Sequence, residues 1–349
     1  MAYTGKYRAG PVFLFNKQKG QENKRKKRIE KIEWRLRKKA YSKGYVIRRS
    51  RVRKIQRARQ LFKEQVHKFK CLLCGEKMQV GEENRIFCLN NHSYDLARKG
   101  YVNFLSGGSQ TKYDKEMLEA RNRVCKRGFF DPLLEELRRL IVKEISPSRK
   151  ELKVLDAGCG EGSLLSRLLK GFSGEDSPGP QNIRGVGIDI SREGIQIAAR
   201  DYMDIIWCVA DVARAPFQEG QFNLILNILS PSNYHEFSRI MVPGGILIKV
   251  IPGRNHLQEL RELFYDERER DGYRGEEVLK GFRENFEGID VYPLSYNPDY
   301  CLEGKELEDL IKMTPLSWGA GEGAIERALG QGVDRVTVDL TLGVGKKIK

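Results

Sequence analysis

Two groups of residues have the types and spacing to do chemistry. In the first, two residues separate Cys71 from Cys74 and three separate Cys88 from His92. A C-x-x-C pair can reach one ion across a tight turn, and Gly75 suits that turn. Cys88 and His92 complete a tetrahedral set. Three thiolates and an imidazole favour zinc, and four protein ligands leave no position for a reacting water, so such a site is structural. Unrelated buried thiols beside a surface histidine are the plainer alternative, which the paired spacing disfavours. His67 falls outside the spacing and reads as a surface residue. The second group follows the apolar Val154-Leu155: Asp156, then Gly158, Gly160 and Gly162 at alternate positions, with Glu161 among them. Glycines at a strand-to-helix turn allow a sharp bend and close approach of a ligand to main-chain N–H groups. Alone, such a turn fits a dinucleotide or S-adenosylmethionine.

Three features separate these ligands. The spacing is D-x-G-x-G-x-G rather than G-x-G-x-x-G, and S-adenosylmethionine has no pyrophosphate to seat. Asp189 closes the next apolar run, where a carboxylate can accept both ribose hydroxyls. Asp211 closes the third, where it can meet the adenine amine. A Val242-Pro243-Gly244-Gly245 turn before another apolar run resembles the pattern of class I methyltransferases. The combination predicts a methyltransferase, with a nicotinamide enzyme or a non-catalytic nucleotide fold as alternatives.

A methyl sulfonium is already reactive, so such an enzyme chiefly aligns the acceptor and excludes water. Asn227 to Pro231 ends the fourth strand, beside the expected methyl group. Asn227 or Ser230 could orient a base by hydrogen bonds, but neither is a good proton acceptor, and the catalytic base is not assigned. Enzymes acting on exocyclic amines often carry an N-P-P-Y-like segment here. The I-L-S-P-S of this chain favours a ring nitrogen. Cys125, Cys159, Cys208 and Cys301 are isolated and offer no convincing nucleophile, which argues against carbon-5 pyrimidine methylation.

The elements that must position these groups are strands around KVLDAG, RGVGIDI, IIWCVAD, FNLILNIL and GILIKV, alternating with helical LLSRLLK and GIQIAAR. That alternation predicts an α/β fold with a doubly wound, mostly parallel, Rossmann-like sheet. Residues 112–146 read as helical. With 349 residues, 40% hydrophobic and 32% charged, the chain has room for one large domain and a small module. The expected division is a basic extension over 1–66, helical or disordered, a zinc-binding module over 67–110 and a class I domain over 111–349.

The net charge of +16 is unevenly placed: residues 1–70 hold 25 basic and 4 acidic side chains, the other 279 hold 38 and 43. Ile29, Ile32 and Leu36 give the basic extension a weak helical stripe. It reads as an RNA-binding arm, as a solvated tail or as residues translated from an upstream start. No apolar run reaches the length of a membrane span and no secretory signal is evident, so a cytoplasmic protein with reduced thiols and no membrane partner is expected. The oligomeric state, a homodimer included, stays open.

The stretch from Cys71 to Leu105 resembles the zinc module of bacterial large-subunit ribosomal RNA guanine-N1 methyltransferases. The resemblance continues through Tyr113–Arg121, Gly128–Leu133, Asp156–Gly162, Pro252–Leu260 and Met313–Trp318. It implies that Cys71, Cys74, Cys88 and His92 bind Zn2+ and that the module recognises an RNA hairpin. It also implies a donor pocket that includes Gly160, Glu161, His256 and Phe130; a tyrosine often stands at the last position. The implied partner is ribosomal RNA, with the target guanine unpaired because N1 lies on the pairing edge. Tyr94, Tyr101 and Phe104, interleaved with Arg98 and Lys99, are candidates for stacking and phosphate contacts, against a miniature core around zinc. Two other functions are carried: a methyltransferase acting on another RNA, on protein or on a small molecule, and an RNA-binding zinc protein that has lost catalysis.

Overall fold

A computed structural model describes residues 54–105, 107, 112–146, 149, 151–173, 179–180, 182–265, 275–318 and 323–348. The chain divides into two units, Met1–Val52 and Arg53–Lys349, and all described residues belong to the second. The helical stripe expected at Ile29, Ile32 and Leu36 lies outside them.

Helix α1 (Lys54–Gln65) buries Ala58, Leu61, Phe62 and Gln65, one face at helical spacing. Several of its cations are held by the protein itself. Arg57 bonds Asp204 at 2.9 Å, Lys54 bonds the Arg200 carbonyl at 2.6 Å, and Arg59 bonds the Gly81 carbonyl at 2.9 Å. Strands β1 (Met78–Val80), β2 (Arg85–Cys88) and β3 (Ser93–Asp95) form a small antiparallel sheet. Strand β4 (Tyr101–Asn103) leaves it and pairs in parallel with a strand of the main sheet.

The stretch 112–146, expected to be helical, forms two helices, α2 (Lys115–Lys126) and α3 (Asp131–Glu144). Gly128, at φ 96°, and Pro132, in the first turn of α3, account for the break. Beyond them run β5 (Leu152–Ala157), α4 (Ser163–Lys170), β6 (Ile183–Asp189), α5 (Arg192–Asp201), β7 (Ile206–Val209), β8 (Phe222–Ile228), α6 (Tyr234–Ile240) and β9 (Met241–Pro252). The remaining elements are α7 (Gln258–Phe264), α8 (Gly275–Asn285), β10 (Phe286–Tyr296), α9 (Gly304–Lys312), α10 (Ala324–Gln331) and β11 (Val338–Lys347).

The main sheet has the order β10-β11-β9-β8-β5-β6-β7-β4. Strands β4 to β9 pair in parallel, and β11 runs antiparallel to both β9 and β10. Every residue of β8 is buried, as expected of a strand covered on both faces. Val154, Leu226 and Ile248 pack under α3, α4 and α5, whereas Leu155, Ile225 and Leu247 face the core of α1, α6 and α8. Strand order reverses between β5 and β8, so a crevice opens at their carboxyl ends. Among the described residues no helix is long and apolar enough to cross a membrane.

Candidate functional site

The glycine loop begins where β5 ends, and Gly158, Gly160 and Gly162 all have positive φ (87°, 56° and 80°). Their uses differ. A Cβ on Gly158 would stand 1.8 Å from Ser230 Oγ, and one on Gly162 would meet Trp207 Cη2 at 2.6 Å and Ala198 Cβ at 2.7 Å. A Cβ on Gly160 would meet nothing within 4 Å. Two glycines therefore permit packing, and the third opens the loop toward a ligand.

Carboxylates gather around this loop. Asp189 accepts from Gly160 N at 2.8 Å and Ser191 N at 2.7 Å. Buried Glu161 accepts from Asn122 Nδ2 (2.9 Å), Ser163 N (3.1 Å) and Ser163 Oγ (2.6 Å), and Arg121 Nε stands 3.8 Å away. Asp156 is buried and its Oδ1 has no hydrogen-bond partner. Burial, then the charge of Asp189, pushes its carboxyl up to about 7. Asp211 follows β7 and accepts from Ala213 N at 2.9 Å, while Ala210 N donates to the Asp189 carbonyl at 2.9 Å. The ends of β5, β6 and β7 thus bring Asp156, Asp189 and Asp211 to one rim.

Phe130 is buried at the start of α3, edge-on to Phe129, with the Arg121 guanidinium 5.9 Å from its ring centroid. His256 is half-buried beyond β9. Its Nδ1 has no hydrogen-bond partner, and burial pushes its pKa down to about 4, so the imidazole is neutral. The residue reads from sequence alone as a surface position; the fold half-buries it.

Arg121 and Asn122 escaped the sequence reading as individual residues. The available signal was a polar pair on the otherwise apolar face of α2, next to buried Leu118 and Cys125.

S-adenosylmethionine fits this pocket by charge. It carries a sulfonium, an ammonium and two ribose hydroxyl donors, which match the carboxylates of Asp156, Asp189 and Asp211, one oxygen of Asp156 being without a hydrogen-bond partner. The pyrophosphate of a dinucleotide would face the same three carboxylates.

On the acceptor side, Asn227 is fully buried and internally engaged. Its Nδ2 donates to the Ala157 carbonyl at 2.7 Å and the Pro231 carbonyl at 3.0 Å; its Oδ1 accepts from Ser232 Oγ at 2.9 Å and Lys249 Nζ at 2.5 Å. Ser230 places its hydroxyl against Gly158. Lys249 is a third residue, after Arg121 and Asn122, that the sequence pattern did not single out.

The second candidate group also assembles. The ligand atoms of Cys71, Cys74, Cys88 and His92 all lie within 4.8 Å of one another. His92 Nδ1 is 3.6 Å from Cys71 Sγ, 3.6 Å from Cys88 Sγ and 3.3 Å from Cys74 Sγ, and the Cys74 and Cys88 sulfurs are 3.6 Å apart. A tetrahedron with zinc–ligand bonds of about 2.0–2.3 Å has edges of about 3.3–3.8 Å. The donor set fits zinc. Gly75, at φ 79°, and Asn91, at φ 59°, close the two turns that present the ligands.

The aromatic residues next to this cluster face inward. Phe104 is buried, stacked on Phe69 at 5.8 Å and tilted against Tyr94 at 4.7 Å. Tyr101 is buried in β4, its hydroxyl held by Gln196 Nε2 at 3.3 Å. Half-buried Tyr94 places its hydroxyl 3.9 Å from Cys71 Sγ. Of the two readings of these rings, stacking on RNA or a packed core, Tyr101 and Phe104 take the packed one, because β4 and the core absorb both rings. Arg98 and Lys99 are exposed.

Residues 154–245 match a family model described as a methyltransferase domain, and residues 69–112 match one described as RlmA, N-terminal. Over 281 residues the chain is 38% identical to YxjB of Bacillus subtilis (strain 168), a candidate 23S rRNA (guanine-N(1)-)-methyltransferase by name. The match covers 80% of this chain and 97% of that one. The chain belongs to the 23S rRNA guanine-N1 methyltransferase family. Another member, the 23S rRNA (guanine(748)-N(1))-methyltransferase of Streptomyces fradiae, is 28% identical over 81% of this chain and 98% of its own. The two matched segments are those that hold the zinc cluster and the S-adenosylmethionine loop.

Proposed function

We propose that this protein methylates N1 of a guanine in a hairpin loop of large-subunit ribosomal RNA. The observation that carries this reading is the match to two relatives, each named for that reaction, over 97% and 98% of their lengths. S-adenosylmethionine supplies an electrophilic methyl group on sulfur. Asp189 would accept the ribose hydroxyls, Asp211 the adenine amine, and Asp156 and Glu161 would lie nearest the cationic end. The guanine N1 proton would leave to solvent before or during transfer, and the N1 lone pair would take the methyl group as the methyl–sulfur bond breaks, the electron pair staying on sulfur. The target base must be unpaired. The 67–110 module would hold the RNA through exposed Arg98 and Lys99 and through the apolar tips Leu73 and Leu89, exposed by 65% and 71%.

The test is incubation with methyl-labelled donor and unmodified 23S rRNA, followed by nuclease digestion and mass spectrometry. Label in N1-methylguanosine at one loop position is expected. Label confined to transfer RNA or protein refutes the reading, and absence of donor binding refutes any methyltransferase reading.

A further inference from the structure

Lys249 lies inside β9, in the run Ile246 to Ile251 whose other members are all buried apolar residues. Its own exposure is 3%, and among the described residues it has no ion-pair partner. A lysine in such a place is costly unless its ammonium is well bonded. The bonds it makes lead to the segment that ends β8, Asn227 to Pro231. Nζ donates to Asn227 Oδ1 at 2.5 Å and to the Ser230 carbonyl at 2.5 Å. Asn227 in turn donates to the Pro231 carbonyl at 3.0 Å and the Ala157 carbonyl at 2.7 Å. Leu229, at φ 52°, turns the chain so that both loop carbonyls point back toward this pair. The Ser230 side chain is left facing Gly158.

We propose that Lys249 is a positioning residue that selects a ring nitrogen over an exocyclic amine as methyl acceptor. The inference rests on the guanine-methylating reading above. An exocyclic amine must have its hydrogens held by acceptor oxygens at the end of this strand before its lone pair can be aimed at the methyl group. In this chain Asn227 Oδ1 already accepts two internal hydrogen bonds, and the Ser230 and Pro231 carbonyls are each turned inward to accept one. A deprotonated ring nitrogen directs its lone pair in the plane of the base and needs no such pair of acceptors.

The experiment compares wild type, Lys249→Gln and Lys249→Met on unmodified 23S rRNA, measuring N1-methylguanosine and N2-methylguanosine in the digest, together with donor Kd and melting temperature. Lys249→Met should keep donor Kd within about threefold, lose about 100-fold in kcat and lower the N1-to-N2 product ratio at least about tenfold. Lys249→Gln, which retains an N–H donor for the loop, should keep the ratio near that of wild type. A wild-type ratio in Lys249→Met overturns the proposal, because a merely structural lysine would move stability and leave the ratio alone. Should Lys249→Met fail to fold, Lys249→Leu is read in the same way. If wild type instead methylates another RNA at a ring nitrogen, the ribosomal reading fails while the ratio is still measured on that RNA. A wild-type enzyme that methylates an exocyclic amine overturns both.

Discussion

Donor binding should depend on pH through Asp156, and Asp156→Asn should remove that dependence. The carboxyl is buried, one of its oxygens has no partner, and burial with the Asp189 charge raises it to about 7. A cationic donor favours the ionised form, so binding weakens as pH falls through 7 and each bound donor displaces a proton. With a pKa near 7, about one-tenth of the chains are ionised near pH 6 and about three-quarters near pH 7.5. The apparent Kd should then tighten about eightfold across that interval, with about 0.9 proton released per donor at the lower pH. Calorimetry in two buffers of different ionisation heat measures both quantities. In Asp156→Asn the Kd should vary by less than about twofold over the interval, and proton release should fall close to zero. The stability sign is opposite to that of a salt-bridged carboxylate. Above the unfolded value near 4 the unfolded chain has lost a proton that the native chain keeps, so Asp156 costs stability increasingly up to pH 7. The asparagine variant should therefore melt no lower than wild type at pH 7.5. A flat wild-type Kd, or a slope that survives Asp156→Asn, refutes the assignment; the surviving slope would move it to Glu161.

Other consequences follow from the same geometry. Cys71→Ser should drop the zinc content, read by plasma mass spectrometry, from about one to below about 0.2 per chain and abolish RNA methylation, with donor Kd kept within about threefold. Gly158→Ala adds a Cβ 1.8 Å from Ser230 Oγ at a φ of 87°; kcat should fall about 100-fold, with a lower melting temperature. Arg123→Met removes the 2.7 Å bidentate partner of Asp309, whose side chain is fully buried, and leaves it with Lys305 at 3.6 Å and Arg127 at 3.8 Å. Denaturant unfolding should show a loss of about 3 kcal/mol.

What the sequence makes legible is what is local. The zinc ligands come in two close pairs, each spanning one turn. The glycine loop, Asp189 and Asp211 stand at the ends of apolar runs that form parallel strands because both faces are covered. Contacts that depend on distant segments are harder to read. Tyr101 sits in a short segment near the zinc ligands, and nothing in that segment says that β4 will add to the edge of a sheet beside Trp207, 106 residues later. Asn122 meets Glu161 from 39 residues away. His256 reads as a helix-start surface residue, and nothing near it in the sequence says that Asp339 of β11 will come close enough to act on its charge.

Lys249 is an intermediate case, and it shows how such residues can be found. Its partner Asn227 is 22 residues away, so the contact itself is invisible in the sequence. The anomaly is not: one ammonium stands within the apolar run that forms β9, where desolvation alone lowers its pKa to about 8. Burying that group gains nothing for the core, since leucine or methionine would pack there without a desolvation cost. Its neighbour on the adjacent strand, Asn227, is one of two asparagines in a fully buried strand; the other, Asn223, lies at the opposite end and accepts from Lys153 N at 3.0 Å. Two such anomalies on adjacent strands are in register, both near the carboxyl ends where this fold places its chemistry. Their joint placement argues for function more strongly than either residue's type, because a polar pair kept only for packing has no reason to lie at that end of the sheet.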